Sequence, residues 1–406
     1  MWENGAFFIS LAEKTMSWRS VGVVVLLASA CGMADLGRSE HADSDGIWTG
    51  PGISDPESVC YVTAFDYRDG YDWKSDPEKG TVKCSVVLFA GTKPVLKVPV
   101  GDMYEMSSDS RRHRVINGVL YSDYTDGQTT VVKRNGEELY RYEGAETVEK
   151  MLLHEGSVHT LCIPVEGSGF SYRIDGCPVL TRSSGTFFDH LVSYRDTVSF
   201  CFSHPVNSAE GPAEGYYVAR NGTVERIWPG DVFKVWDLCP LDGCIGMIMT
   251  VTEGEAPVMV CGEERNVVNY FRILDIVYCR FIDSERVFAN LRCRLSGYMT
   301  DFYWTGDGDW DTYRFTETLS CLYADENRTY AVKNLSDEEE GLIFYGRRAI
   351  TMPPDYYAGN RNCMAVIGEV QYVGLTSSVR GRPLLWSNLR TDTLNVNGYI
   401  SSVSRY

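Results

Sequence analysis

The chain has 406 residues, 44% of them hydrophobic, and its 38 basic against 55 acidic side chains leave a formal net charge of −17. A surface this acidic repels phosphate backbones, which excludes nucleic acid as the expected partner. About 375 residues follow Cys31, ample for one large repeat-built domain or two ordinary ones.

The chain opens on an address. "SVGVVVLLASAC", Ser20 to Cys31, is an apolar run of about ten residues behind Arg19 that ends in small residues. It is too short to span a membrane and reads as a signal peptide over residues 1–30. Residues 1–15 carry no basic leader of the expected kind, so Met16 heads the better-formed start. The Leu-Ala-Ser-Ala-Cys ending resembles the lipobox of bacterial lipoproteins, departing from the commonest form in placing Ala28 where leucine is usual. That resemblance implies lipidation at Cys31 and a place in the bacterial cell envelope, on the periplasmic face or the cell surface. The alternative is an ordinary secretory peptide cut near Ala30. Residues 31–46 are small and polar and read as a flexible tether, with a single domain over 47–406.

Beyond the tether there is almost no helical periodicity. Alternating segments rich in Val, Ile, Tyr, Phe and Thr recur between Gly, Asn and Asp turns, the pattern of short strands. One hairpin repeats, clearest in Val131–Tyr142, Phe170–Arg182 and Tyr216–Trp228, where Asn-Gly or Asp-Gly supplies the positive φ angles of a tight turn. Weaker copies occupy Val86–Val98, Val258–Val268, Met299–Phe315, Leu342–Met352 and Val373–Trp386. The spacing is close to 40 residues, and two further short strands precede each hairpin. Four strands per unit at this period resembles a β-propeller blade. The expectation is therefore an all-β propeller of about eight four-stranded blades, or seven if one weak copy is false. "LNVNGYISSVS", Leu394 to Ser404, would close the ring by completing the first blade.

Five of the thirteen cysteines, Cys60, Cys162, Cys201, Cys279 and Cys363, fall inside apolar strands and read as buried free thiols. No Cys-x-x-Cys pair supports zinc or thioredoxin chemistry. In "CPLDGC", Cys239 and Cys244 flank a turn and are the candidates for a disulfide across a hairpin.

Three stretches carry candidate chemistry. "YWTGDGDWDTY" alternates Asp307, Asp309 and Asp311 through a glycine turn, a set of oxygens suited to calcium. An EF-hand needs Gly and Glu where Thr312 and Thr318 stand, so the readings are an exposed acidic turn, a looser calcium site or a sugar platform. "DYRDGYDWKSDPEKG" interleaves Tyr67, Tyr71 and Trp73 with acids, and "MPPDYYAGNRN" offers Asp355, Tyr356 and Tyr357 in a segment joining two units. Aromatic faces stack on sugar rings or apolar groups while carboxylates accept hydrogen bonds from hydroxyls. In a propeller these two segments open on one face, with the Asp307 turn on the other. The bland alternative is that they only cap the ring.

Catalytic signatures are missing. There is no Gly-x-Ser-x-Gly elbow, phosphate loop or dinucleotide fingerprint, so no cofactor is expected, with calcium the one candidate ion. His154 and His159 in "LLHEGSVHT", five apart on extended chain, are expected on opposite faces. The first expectation is a lipid-anchored, non-catalytic propeller that binds a glycan, peptide or envelope protein. A glycoside hydrolase or lyase with paired carboxylates in a central pocket, or an envelope scaffold, are the alternatives.

Overall fold

The computed structural model describes residues 48–49, 59–67, 84–100, 112–204, 215–229, 234–241, 244–250, 258–261, 263–266, 273–281, 287–293, 299–304, 310–315, 321–324, 329–334, 341–346, 348–359, 362–379 and 381–405. All lie in one compact unit, Asp45–Tyr406. Cys31, Tyr71, Trp73, Asp307 and Asp309 lie outside the described residues.

Among the described residues the strands form eight antiparallel sheets in chain order. The first holds β1 (Trp48–Thr49), β2 (Tyr61–Tyr67), β3 (Cys84–Ala90) and β4 (Lys93–Val100). The second holds β5 (His113–Ile116), β6 (Val119–Asp126), β7 (Thr129–Arg134) and β8 (Glu137–Glu143). The third holds β9 (Glu146–His154), β10 (Ser157–Pro164), β11 (Phe170–Ile174) and β12 (Cys177–Arg182). The fourth holds β13 (Thr186–Tyr194), β14 (Thr197–His204), β15 (Gly215–Arg220) and β16 (Thr223–Pro229). The fifth holds β17 (Lys234–Leu241), β18 (Cys244–Thr250), β19 (Val258–Cys261) and β20 (Glu263–Asn266). The sixth holds β21 (Ile273–Phe281), β22 (Val287–Cys293), β23 (Met299–Trp304) and β24 (Trp310–Phe315). The seventh holds β25 (Cys321–Ala324), β26 (Thr329–Lys333), β27 (Leu342–Tyr345) and β28 (Arg348–Thr351). The eighth holds β29 (Tyr356–Ala358), β30 (Met364–Ile367), β31 (Val370–Ser377), β32 (Leu384–Ser387) and β33 (Thr391–Thr393). The last strand, β34 (Gly398–Ser404), returns to the first sheet and pairs with β2, so that sheet reads β1-β4-β3-β2-β34.

This is a β-propeller with its first sheet completed from both ends of the chain. Innermost strands of successive sheets pack on one another, β9 on β13, β13 on β17 and β17 on β21. Each sheet is sandwiched between neighbours, so second strands bury both faces: all seven residues of β2 are buried, whereas outer β28 is exposed throughout. Hydrophobic clusters fill the gaps between sheets. Phe170 and Tyr172 of the third meet Phe187, Phe200 and Phe202 of the fourth. Small thiols suit that crowding, and Cys60, Cys162, Cys201 and Cys363 are buried thiols outside any disulfide. Burial pushes the Cys60 and Cys162 thiols up to about 12, so they stay protonated.

The turn chemistry explains the repeated hairpin. Asn135-Gly136, Asp175-Gly176 and Asn221-Gly222 all have positive φ, the requirement of the tight turn whose twist matches the strands. The Asn or Asp also reaches inward. Asn135 Oδ1 accepts the Leu120 N–H (3.1 Å), Asp175 Oδ1 that of Val158 (2.8 Å), Asn221 Oδ1 that of Val198 (2.8 Å) and Asn388 Oδ1 that of Gln371 (3.0 Å). One short polar side chain thus clasps the outer hairpin to the start of the second strand in four sheets.

The eighth sheet departs from the expected order. The strands preceding the Val373–Trp386 hairpin are not two separate sheet positions. β29 and β30 pair with the two halves of β31 as one broken inner strand, and β33 supplies the outer one. In the fifth sheet, Cys239 stands opposite Gly246 and Cys244 opposite Leu241, so the two cysteines are diagonal across the hairpin.

Candidate functional site

Strands reverse direction in order across each sheet, so an inner strand begins at the end where the second strand finishes. β2 therefore ends where β34, β29 and β5 begin, and side chains far apart in sequence meet at that end. Gly398 makes the closure close. A Cβ there would stand 2.0 Å from the Phe65 carbonyl oxygen, so only glycine fits. The next residue, Tyr399, pairs with Phe65 across the strands. Their ring centroids are 4.8 Å apart, and that of Tyr67 is 6.5 Å from Tyr399. The Tyr67 and Tyr399 phenols are hydrogen-bonded, and Tyr357 comes near enough for its charge to act on Tyr399. Burial is the main force holding the Tyr399 phenol well above its usual range, and burial, then Cys363, raises that of Tyr357.

The expected residues take different parts here. Tyr67 is only 2% exposed and supports the cluster from below. Tyr356 and Tyr357 lie in β29, a strand where the sequence predicted a joining loop, opposite Ser377 and Thr376. Both are half-buried, and the Tyr356 phenol donates to the Arg382 carbonyl at 3.0 Å. Asp355 is exposed at φ 66, and its carbonyl accepts from the Ser378 amide and hydroxyl. Asp311 sits in β24 opposite Tyr303, at the other end of its sheet.

Two side chains, Tyr399 and His113, were missed, and Asp66, one of the acids interleaved with Tyr67, takes a structural part. Tyr399 lies in the closing strand, and laying that strand against β2 would have placed it opposite Phe65 and beside Tyr67. Asp66 ties the closure: its Oδ1 accepts the Asn397 N–H and its Oδ2 the Lys97 ammonium, both at 2.9 Å. His113 opens β5 edge-on to Phe65, with centroids 5.6 Å apart. It is 8% exposed, and its buried Nδ1 has no hydrogen-bond partner. Burial, then the charges of Arg114 and Arg112, lowers its pKa to about 4, so the ring is neutral at pH 7.

The buried acids found among the described residues are paired with cations. Beside Asp66–Lys97 stand Asp123–Arg114 (2.6 Å) and Glu146–Arg173 (2.9 Å), the last with Arg173 4.0 Å over the Tyr142 ring. Among the described residues no group of three or more His, Cys, Asp or Glu is placed to hold a metal.

No protein-family model matches the chain, and no curated protein matches it. Among solved structures it is similar to the dihydro-heme d1 dehydrogenase NirN in complex with DHE, with a TM-score of 0.56 and 9% identity over 88% of this chain and 77% of that one. It also resembles apo AztD from Citrobacter koseri (TM-score 0.49, 8% identity, 85% and 97% covered). A third likeness is to the β-propeller domain of the Trilobed protease from Pyrococcus furiosus (TM-score 0.43, 10% identity, 73% and 95% covered). At these identities the likeness is one of fold, and the class it defines is the β-propeller, a scaffold that hosts binding, enzymatic and scaffolding proteins alike.

Proposed function

We propose that this propeller is a binding module and that it takes its ligand on the ring-closure face, with Tyr357 and Tyr399 as the aromatic contacts and Asp355 at the rim. The observation that carries the reading is the convergence of Tyr67, Tyr399 and Tyr357 from three distant segments onto one end of the sheets. Tyr357 and Tyr399 are half-buried, and the ring surface they leave open offers a flat apolar face that suits a sugar ring or an extended peptide. Tyr71 and Trp73, in the segment that follows Tyr67, extend the platform in this proposal. The ligand class is a glycan, peptide or protein of the bacterial envelope, with the chain held at the membrane by lipid on Cys31. Calcium at Asp307, Asp309 and Asp311 is a separate element of the proposal. The test is a glycan-array and polysaccharide pull-down screen of the full chain, with and without calcium, assayed in parallel for released product. Binding without turnover upholds the reading, and turnover replaces it with a hydrolase or lyase.

A further inference from the structure

At the opposite end of the sheets, the β9–β10 hairpin brings two histidines together. His154 closes β9 opposite Ser157, and His159 lies two residues further along β10. Cross-strand partners share a face and side chains alternate, so both imidazoles leave the same side of the third sheet. This corrects the expectation of opposite faces, which counted along one strand where the Glu155-Gly156 turn folds the chain back. The ring centroids are 5.8 Å apart and the planes are inclined at 74°.

The hydrogen bonds define which nitrogens are free. His159 is 5% exposed, and its Nδ1 shares a 2.6 Å hydrogen bond with the Tyr172 phenol. Its Nε2 makes no hydrogen bond among the described residues. His154 Nε2 is buried and has no partner. A buried polar nitrogen without a partner has given up its hydrogen bond to water for nothing, so its retention calls for an explanation. Fixing one ring nitrogen by a hydrogen bond, as Tyr172 does, is how a ligating histidine is oriented and its tautomer chosen. An ion bonded to one nitrogen of each ring at about 2.0–2.1 Å would set the ring centroids roughly 5–6 Å apart, the separation seen here.

We propose that His154 and His159 form a two-imidazole site for a divalent transition ion of the zinc, copper and nickel class, with Tyr172 as the positioning residue for His159. Nitrogen donors suit these ions and not calcium or magnesium, which seek oxygen. Among the described residues no third His, Cys, Asp or Glu joins the pair, so the two imidazoles are the protein donors of the site. Asp175, anchored by the Val158 N–H, places a carboxylate near His159.

The test is calorimetric titration of Zn2+ into the full chain, comparing the parent with His154→Gln, His159→Gln and Tyr172→Phe, each checked for folding by circular dichroism. One equivalent of Zn2+ is lost in either glutamine variant. Tyr172→Phe keeps the ring in the core and weakens that equivalent by about tenfold. Two glutamine replacements on different strands guard against one failing to fold. Zn2+ binding that is unchanged in number and affinity in a folded glutamine variant, or absent from the parent, overturns the site. Because it lies at the other end of the sheets from Tyr357 and Tyr399, that outcome leaves the closure-face reading standing.

Discussion

The carboxylate of Asp66 accepts the amide N–H of Asn397 at 2.9 Å, joining residues 331 positions apart at the point where the ring shuts. The same side chain holds Lys97 in the outer strand, so it crosses the first sheet from its inner seam to β4. Asp66→Ala strands the Asn397 N–H and is expected to cost about 2–3 kcal/mol in urea unfolding. Asp66→Asn keeps an acceptor for the Asn397 N–H and loses the ion pair to Lys97, whose ammonium is partly exposed, so the loss should be smaller, about 1 kcal/mol. Equal losses in the two variants would show that the amide bond does not hold the closure.

The Asx clasp gives a second prediction. Asn221→Ala removes the acceptor from the buried Val198 N–H and leaves alanine at φ 46, which together cost about 2–3 kcal/mol. Asn221→Asp keeps both the acceptor and tolerance of that backbone and should cost under about 1 kcal/mol, as the natural Asp175 at the matching place indicates. Chemical denaturation of the two variants reads the difference directly.

Stability should fall in mild acid through His113. Its pKa is about 4 when folded and 6.5 as the reference, so between these values the unfolded chain binds the proton and the folded one resists it. The contribution is fully present above pH 6.5 and is lost as pH falls toward 4, amounting to about 3 kcal/mol. His113→Leu removes the titration. The parent-minus-variant stability difference should therefore shrink by that amount between pH 7 and pH 4, and a difference that stays constant would contradict the buried neutral ring.

Arg173 joins two sheets, gripping Glu146 through Nε and Nη2 while covering Tyr142 of the preceding sheet. Arg173→Met leaves a carboxylate only 12% exposed without its partner, an expected loss of about 3 kcal/mol in thermal or urea unfolding. Arg173→Lys retains the charge but not the two-pronged geometry, and about 1–2 kcal/mol should go. A lysine variant as stable as the parent would show that the fork and the ring contact contribute little.

The architecture was legible because its signals are local. Asn135-Gly136, Asp175-Gly176 and Asn221-Gly222 announce hairpins from adjacent residues, and their 40-residue recurrence announces the repeat. The closing strand could be read from its isolation after the last hairpin. The site was less legible because its parts meet only through register. Tyr399 and Asp66 become neighbours of Tyr67 and Asn397 when β34 is laid on β2, and nothing within ten residues of either signals it. The broken inner strand β29–β30 looked like a loop because Pro353, Pro354, Gly359 and Asn360 surround three strand residues. His154 and His159 were separable only by counting across the turn.

The measurement that bears most directly on the closure-face account is the ligand affinity of Tyr357→Ala and Tyr399→Ala beside the parent, taken on the first glycan or peptide that the screen returns. Each truncation should weaken binding by at least about tenfold, equivalent to about 1.4 kcal/mol, while both variants stay folded and no product is released. Folded variants that bind as tightly as the parent would contradict the account and move the ligand to another face.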